Sequence, residues 1–268
     1  MPRRDSDPDF VESIARGFDV LKALDRPGMS LSDVAGAAGL ARPTARRILR
    51  TLETLGYVRS ADGSFALTPR VLELGIGYVQ SLGLWELARP HLEALVSRTH
   101  ESSSMAQLDG SDIVYVARVA VPKLITLAVH IGTRFPAVPT SLGKVLLAGL
   151  EPDELAKALA EPSRAPVVPR WQPDRAELEQ ALREVRAQGW ALTDEQLASG
   201  IRSIAAPVRD GSGRTVAAVN VTVHAAETPV ETLRQDYLPM LLETAGRISA
   251  DFARRDALPL AVAPSPGP

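Results

Sequence analysis

Arg42, Arg46, Arg47 and Arg50 crowd into one short stretch, and from Ala41 to Arg70 six arginines meet only Glu53 and Asp62. That is a local charge of +4 in a chain whose net charge is −2. A guanidinium can fork onto a guanine edge in a major groove or contact a phosphate. The charge suits a polyanion, although charge alone does not separate that use from a solvated helix face. Other constellations fail. Gly143-Lys144-Val145 hints at a phosphate loop, but position 138 is Val and no Ser or Thr follows the lysine. Gly75 and Gly77 lack a third glycine at Gln80 and open no βαβ unit. His91, His100, His130 and His224 lack metal-ligand spacing, and no Gly-x-Ser-x-Gly elbow occurs. Cysteine is absent, which excludes disulfides and thiolate-held metals. No cofactor is implied. An enzyme would have to be a hydrolase built from dispersed Ser, His and Asp.

The elements around the arginines give them a purpose. Ile14, Phe18, Leu21 and Leu24 mark a helix over about 11–24, broken by Pro27-Gly28. Ser30 can cap a second helix with Asp33 at its third position, and Gly39 can end it in the left-handed conformation. Pro43 suits the first turn of a third helix, which would bury Ile48, Leu49, Leu52 and Leu55 and stop at Gly56. Arg42 would be its cap, a poor one. Two strand-like runs, 57–59 and 65–68, flank Ala61-Asp62-Gly63-Ser64, a strong hairpin signal. Three helices, a tight turn between the last two and a hairpin predict a winged helix-turn-helix over 10–70. Arg42, Pro43, Thr44 and Arg46 begin the helix that would enter a groove. With Arg47 they would read bases and phosphates, while Arg16, Ser64 and Arg70 anchor the backbone.

A joining helix is expected over 71–84. The remainder, 85–255, mixes helices near 84–100, 141–149, 152–160, 174–188 and 229–254 with strands near 104–108, 113–119, 125–130, 204–209 and 216–224. This predicts an α+β domain, an antiparallel sheet flanked by helices. A leader over 1–9 and a Pro-rich tail over 256–268 are expected to be disordered. No apolar run approaches the ~18–20 residues of a bilayer span, and the leader lacks a signal-peptide core, so a cytoplasmic protein with no membrane partner is expected. Thr140 or Ser141 precedes a helix whose first amides, at Leu142 and Gly143, could receive a carboxylate. Arg118, Arg134 and Arg202 could neutralise one or could form ordinary ion pairs. Asn220, in an apolar strand, is either a satisfied core amide or a donor to a ligand.

Ser13–Leu21, Leu31–Ala35 and Thr51–Val58 resemble the N-terminal domain of the IclR regulator family. Gly132–Pro136, Thr140–Ala148 and Gly200–Val208 resemble its effector domain. The resemblance runs over about 11–254 and rests on the order and spacing of these segments. Ala41 departs from it, since the family often has Ser there. The resemblance implies a DNA-binding transcription regulator with a GAF-like sensory domain. It implies an effector pocket at Leu124, Leu127, Phe135, Ser141, Leu142, Thr193, Ile201 and Ser203, lined for a small organic acid. It further implies a homodimer, or a dimer of dimers, on a near-palindromic double-stranded operator. Asp112–Val119 and Arg186–Leu192 are similar to regulators of protocatechuate and β-ketoadipate catabolism, hence an aromatic or dicarboxylic effector. A purely architectural DNA-binding protein without a ligand is the alternative within the non-enzyme class.

Overall fold

A computed structural model describes residues 9–75, 84–122 and 129–256, and the chain divides into two compact units between residues 81 and 82. Residues 1–8 of the expected leader, 76–83 of the joining helix and 257–268 of the expected tail, with Leu124 and Leu127, lie outside the described residues.

The N-terminal unit holds α1 (Glu12–Ala23), β1 (Met29–Ser30), α2 (Leu31–Ala37), α3 (Arg42–Thr54), β2 (Val58–Ala61) and β3 (Ser64–Leu67). Val20, Val34, Leu49 and Val58 are its fully buried centre. The Ser30 hydroxyl accepts from the Asp33 amide while the Asp33 carboxylate accepts from the Ser30 amide, a reciprocal cap. Hydrogen bonds from Ser30 hold the Asp33 carboxyl below its usual range. Both α2 and α3 end in the same way. The Gly39 and Leu40 amides bond back to Gly36 and Ala35, and the Gly56 and Tyr57 amides to Glu53 and Leu52. Gly39 and Gly56 hold the positive φ this closure requires. The chain therefore reverses between α2 and α3 through backbone bonds alone. Asp62 and Gly63, at φ 52 and 76, form a two-residue turn whose twist matches the paired strands. The two-residue β1, too short for a sequence pattern, adds a third strand by pairing Met29 with Phe65.

The C-terminal unit is a six-stranded antiparallel sheet between helices. Its elements are α4 (Leu84–Thr99), β4 (Ser102–Asp109), β5 (Asp112–Val119), β6 (Arg134–Pro136), α5 (Ser141–Ala148), α6 (Pro152–Ala160), α7 (Arg175–Gln188), β7 (Ala191–Asp194), β8 (Ile201–Arg209), β9 (Thr215–His224) and α8 (Leu238–Asp256). The strand order is β6-β5-β4-β9-β8-β7. Helices α4 and α8 cover one face through Leu92, Leu95, Leu241 and Ile248 against Ile204, Val219 and Val221. Helices α5, α6 and α7 cover the other through Leu142, Leu147 and Leu182 against Ala205 and Ala218. Covering both faces explains why β8 and β9 read as continuous apolar runs.

Three expectations change. The short strands β6 and β7 escaped the sequence pattern, while Val129 and His130, the described end of the strand expected from Ile125, are irregular. The last helix is not continuous from Pro229. A turn at Val230–Thr232 passes into a π-helical turn at Leu233–Tyr237 before α8. Pro239 follows, and its ring and missing amide preclude the normal bond to Gln235, so a wider turn there relieves the crowding.

Gly143 fixes how closely α5 approaches the segment before it. A Cβ at 143 would lie 2.0 Å from the Ala137 carbonyl oxygen and 2.4 Å from its carbon. Backbone on both sides leaves nothing flexible to yield. Gly143→Ala is expected to destabilise by at least the upper end of the ~1–3 kcal/mol typical of overpacking. Urea unfolding within about 0.5 kcal/mol of wild type would show that α5 can withdraw.

Candidate functional site

Helix α3 turns Ala45, Leu49 and Leu52 inward, which leaves Arg42, Arg46, Arg47 and Arg50 exposed. Among the described residues, none of these four forms an ion pair. The helix's own acid, Glu53, accepts from the Ser60 hydroxyl of β2. The N-cap is Ala41, in extended conformation, and not Arg42 as the position of Pro43 suggested. No side chain caps α3 and no acid stands in its first turn, unlike α2 and α7 with their reciprocal caps. Uncapped amides and arginine at the positive end of a helix dipole both oppose stability, and both suit a bound phosphate. Pro43 is exposed and Thr44 half-buried beside these arginines.

The expected backbone anchors are more distributed. Arg16 pairs with Glu12 at 2.9 Å on α1, and half-buried Ser64 stands at the hairpin. Arg70 donates to the Leu55 carbonyl at 2.9 Å, pairs with Glu73 at 3.3 Å and lies 5.3 Å over the Tyr57 ring. That side chain closes the C-terminal end of α3, a structural task its place in the sequence does not reveal.

In the C-terminal unit, one face of the sheet under the first turn of α5 is polar. A cavity with an open mouth lies there. It is lined by all eight described members of the expected set, Phe135, Ser141, Leu142, Thr193, Ile201, Ser203, Arg118 and Asn220. Ser203, Ser141 and Thr193 form a hydroxyl chain, with Ser203 Oγ 2.7 Å from Ser141 Oγ and 3.1 Å from Thr193 Oγ1. Asn220 resolves toward the satisfied amide. Its oxygen accepts from the Ser104 amide and its nitrogen donates to Thr222. The Gly143 amide is not available to a ligand, because Thr140 Oγ1, the cap of α5, accepts from it at 3.0 Å.

The three candidate arginines separate cleanly. Arg134 pairs with Asp109 and Asp112, and Arg202 pairs with Asp194 and donates to the Ala225 and Thr228 carbonyls. Neither lines the cavity. Arg118 does. One of its terminal nitrogens donates to Ser104 Oγ at 2.8 Å, its Nε is buried without a partner, and no carboxylate among the described residues pairs with it. Burial pulls its pKa down, partly offset by Tyr115 beside it. Tyr115 is a lining residue that the sequence reading missed. It is 6% exposed, its ring meets Phe135 edge-on at 5.8 Å, and burial pushes its phenol up to about 12. Lys144, once a phosphate-loop suspect, sits apart from the cavity. Its ammonium donates to Gln196 at 2.6 Å, lies 4.1 Å over the Trp171 ring, and is lowered to about 8 by burial against the pull of Glu184.

Family comparison fits both halves. Residues 13–62 match the IclR helix-turn-helix domain and residues 76–250 the bacterial transcriptional regulator IclR C-terminal domain. The chain belongs to the IclR family. It is 38% identical over 239 residues to the Pca regulon regulatory protein of Pseudomonas putida, covering 88% of this chain and 82% of that one. It resembles the crystal structure of a transcriptional regulator from Rhodococcus sp. RHA1 at 49% identity and TM-score 0.78, over 92% of this chain and all of that one. An IclR homologue from Microbacterium hydrocarbonoxydans complexed with 4-hydroxybenzoate matches at 26% identity and TM-score 0.76, over 91% and 99%. IclR proteins are transcriptional regulators, not enzymes, and combine a DNA-binding helix-turn-helix with an effector-binding domain. Among the described residues no helix is long and apolar enough to cross a membrane.

Arg46→Ala is expected to weaken operator binding by ~1–3 kcal/mol if it reads a base, with no change in melting temperature. Arg70→Ala should instead lower the stability of the N-terminal unit. Gel-shift titration beside thermal melting separates the two, and the opposite pattern would exchange their roles. Lys144 gives a pH signature. Below about pH 8 it is charged whether folded or unfolded, and its desolvation weighs against folding. Between about 8 and 10.5 the folded chain sheds the proton first, so stability rises with pH. Relative to Lys144→Met, the wild type should gain unfolding free energy across that window. Parallel curves would show that the ammonium stays hydrated.

Proposed function

We propose that this regulator is controlled by a hydroxylated aromatic monocarboxylic acid bound in the cavity of the C-terminal unit. The observation that carries the reading is Arg118, a cation on the cavity wall that pairs with no carboxylate among the described residues, although Glu101 also lines the cavity. A half-buried guanidinium without a paired counter-charge is less favourable than a paired one, and a ligand carboxylate would supply the partner. Phe135, Leu142, Leu197 and Ile201 supply walls for a ring, and the Ser141–Ser203–Thr193 chain can exchange hydrogen bonds with a ring hydroxyl. A dicarboxylic acid such as β-ketoadipate fits less well, because Arg134 and Arg202 are already paired outside the cavity. The IclR homologue solved with 4-hydroxybenzoate supports the same class.

On the DNA side, Arg42, Pro43, Thr44, Arg46 and Arg47 meet bases and phosphates, with Arg16 and Ser64 on the flanking backbone. Two copies place two α3 helices about one helical turn apart on a near-palindromic site. The domains in this reading are 10–70, a joining segment over 71–84, and 85–255. The acid changes DNA binding only by the difference in its affinity for two arrangements of the DNA-binding units.

A thermal-shift panel tests the class. Protocatechuate or 4-hydroxybenzoate at 100 times its dissociation constant should add ~2.7 kcal/mol to stability, while β-ketoadipate adds little. The reverse ranking would establish the dicarboxylic reading. Ser203→Leu should abolish the shift yet leave operator affinity intact, and a normal shift would remove Ser203 from the pocket.

A further inference from the structure

The strand β5 carries an irregularity that decides which of its side chains meet the cavity. Ser104 opposes Arg118 and Met105 opposes Ala117, but Ala106 opposes Tyr115, so Val116 is an extra residue in the ladder. In a regular strand, residues three apart point to opposite faces. Here the bulge at Val116 returns Tyr115 to the face of Arg118, and both line the cavity. Ala117 meanwhile stays in the core on the other face.

Tyr115 brings a donor that the fold does not use. Among the described residues its hydroxyl enters no hydrogen bond, although the side chain is almost wholly buried. The buried Ser103 hydroxyl, by contrast, donates to the Asn220 carbonyl. Two unused donors, the Tyr115 O–H and the Arg118 Nε–H, thus belong to neighbouring residues on the wall of one cavity, where each can take an acceptor from a ligand. An ionised oxygen pair satisfies both, whereas a neutral amide presents an N–H where an acceptor is needed. Resting on the proposed carboxylate reading of the cavity, the geometry points to Tyr115 as the second donor to the ligand's carboxylate and as a determinant of selectivity for the ionised acid over its neutral analogues. The high pKa of the phenol keeps it a donor throughout the neutral range.

The test uses the full chain with 4-hydroxybenzoate and its neutral isostere 4-hydroxybenzamide, titrated by calorimetry against wild type, Tyr115→Phe and Arg118→Gln. Tyr115→Phe keeps the ring against Phe135, so its ligand-free melting curve serves as the folding control. The expected result is a wild-type preference for the acid and, in Tyr115→Phe, a loss of about tenfold or more in acid affinity with amide affinity unchanged. Arg118→Gln should lose acid binding more severely. If Arg118→Gln loses the acid while Tyr115→Phe binds it as wild type does, the tyrosine's role falls and the carboxylate reading stands. If Arg118→Gln binds the acid normally, or the wild type binds neither compound, the carboxylate reading falls and takes the tyrosine's role with it. Equal losses of acid and amide in Tyr115→Phe would reduce Tyr115 to a packing residue.

Discussion

The C-terminal unit depends on burying its sheet on both faces. With α4 and α8 on one side and α5 to α7 on the other, the central strand side chains meet helices and not solvent. Apolar residues accept this readily, and Ile204, Ala205, Ala206 and Val219 are completely buried. Polar residues must find partners, and they concentrate where α5 begins. Ser104 receives Arg118, Asn220 bridges two strands, and Ser141, Ser203 and Thr193 bond one another. The cavity is therefore a polar interruption in a double-sided apolar layer. Its boundary is the turn of α5 that Gly143 allows to lie against Ala137.

The N-terminal unit solves a different problem, that of holding a helix whose surface is built against its own stability. Helix α3 carries unpaired arginines, lacks a cap and begins with a cation at its positive end. Its stability comes from its other face and its other end. Ala45 and Leu49 are fully buried, and its last carbonyls are satisfied by the glycine closure and by Arg70. Binding chemistry at the start of the helix is thus separated from support at its finish.

Much of this is legible in the sequence because the signals are local. Ser30 with Asp33, Gly39, Pro43, Gly56 and Asp62-Gly63 each report one turn of backbone, and together they outline the helix-turn-helix and its hairpin. The described members of the expected cavity set, without Leu124 and Leu127, line one cavity. What is not legible depends on distant neighbours. The strands β1, β6 and β7 are two to four residues long and exist only because a partner strand is beside them. The cap of α3 shifts by one residue because Pro43 is compatible with more than one position in a first turn. Arg118, Arg134 and Arg202 look alike in sequence, and only their carboxylate neighbours, brought from other strands, tell them apart. Tyr115 escaped notice because strict alternation separates it from Arg118.

That last point bears on how such a pocket diversifies. Where a strand is regular, the identity of a residue and the face it occupies are bound together, and a new side chain in the pocket must replace an old one. A bulge uncouples them. In β5 the core residue Ala117 and the pocket residues Tyr115 and Arg118 are held in phase by the presence of one additional residue, whatever its side chain. Gain or loss of a single codon there would rotate half a strand's chemistry between the interior and the ligand in one step. Strand length, as well as composition, is a variable on which ligand preference in this architecture can be selected.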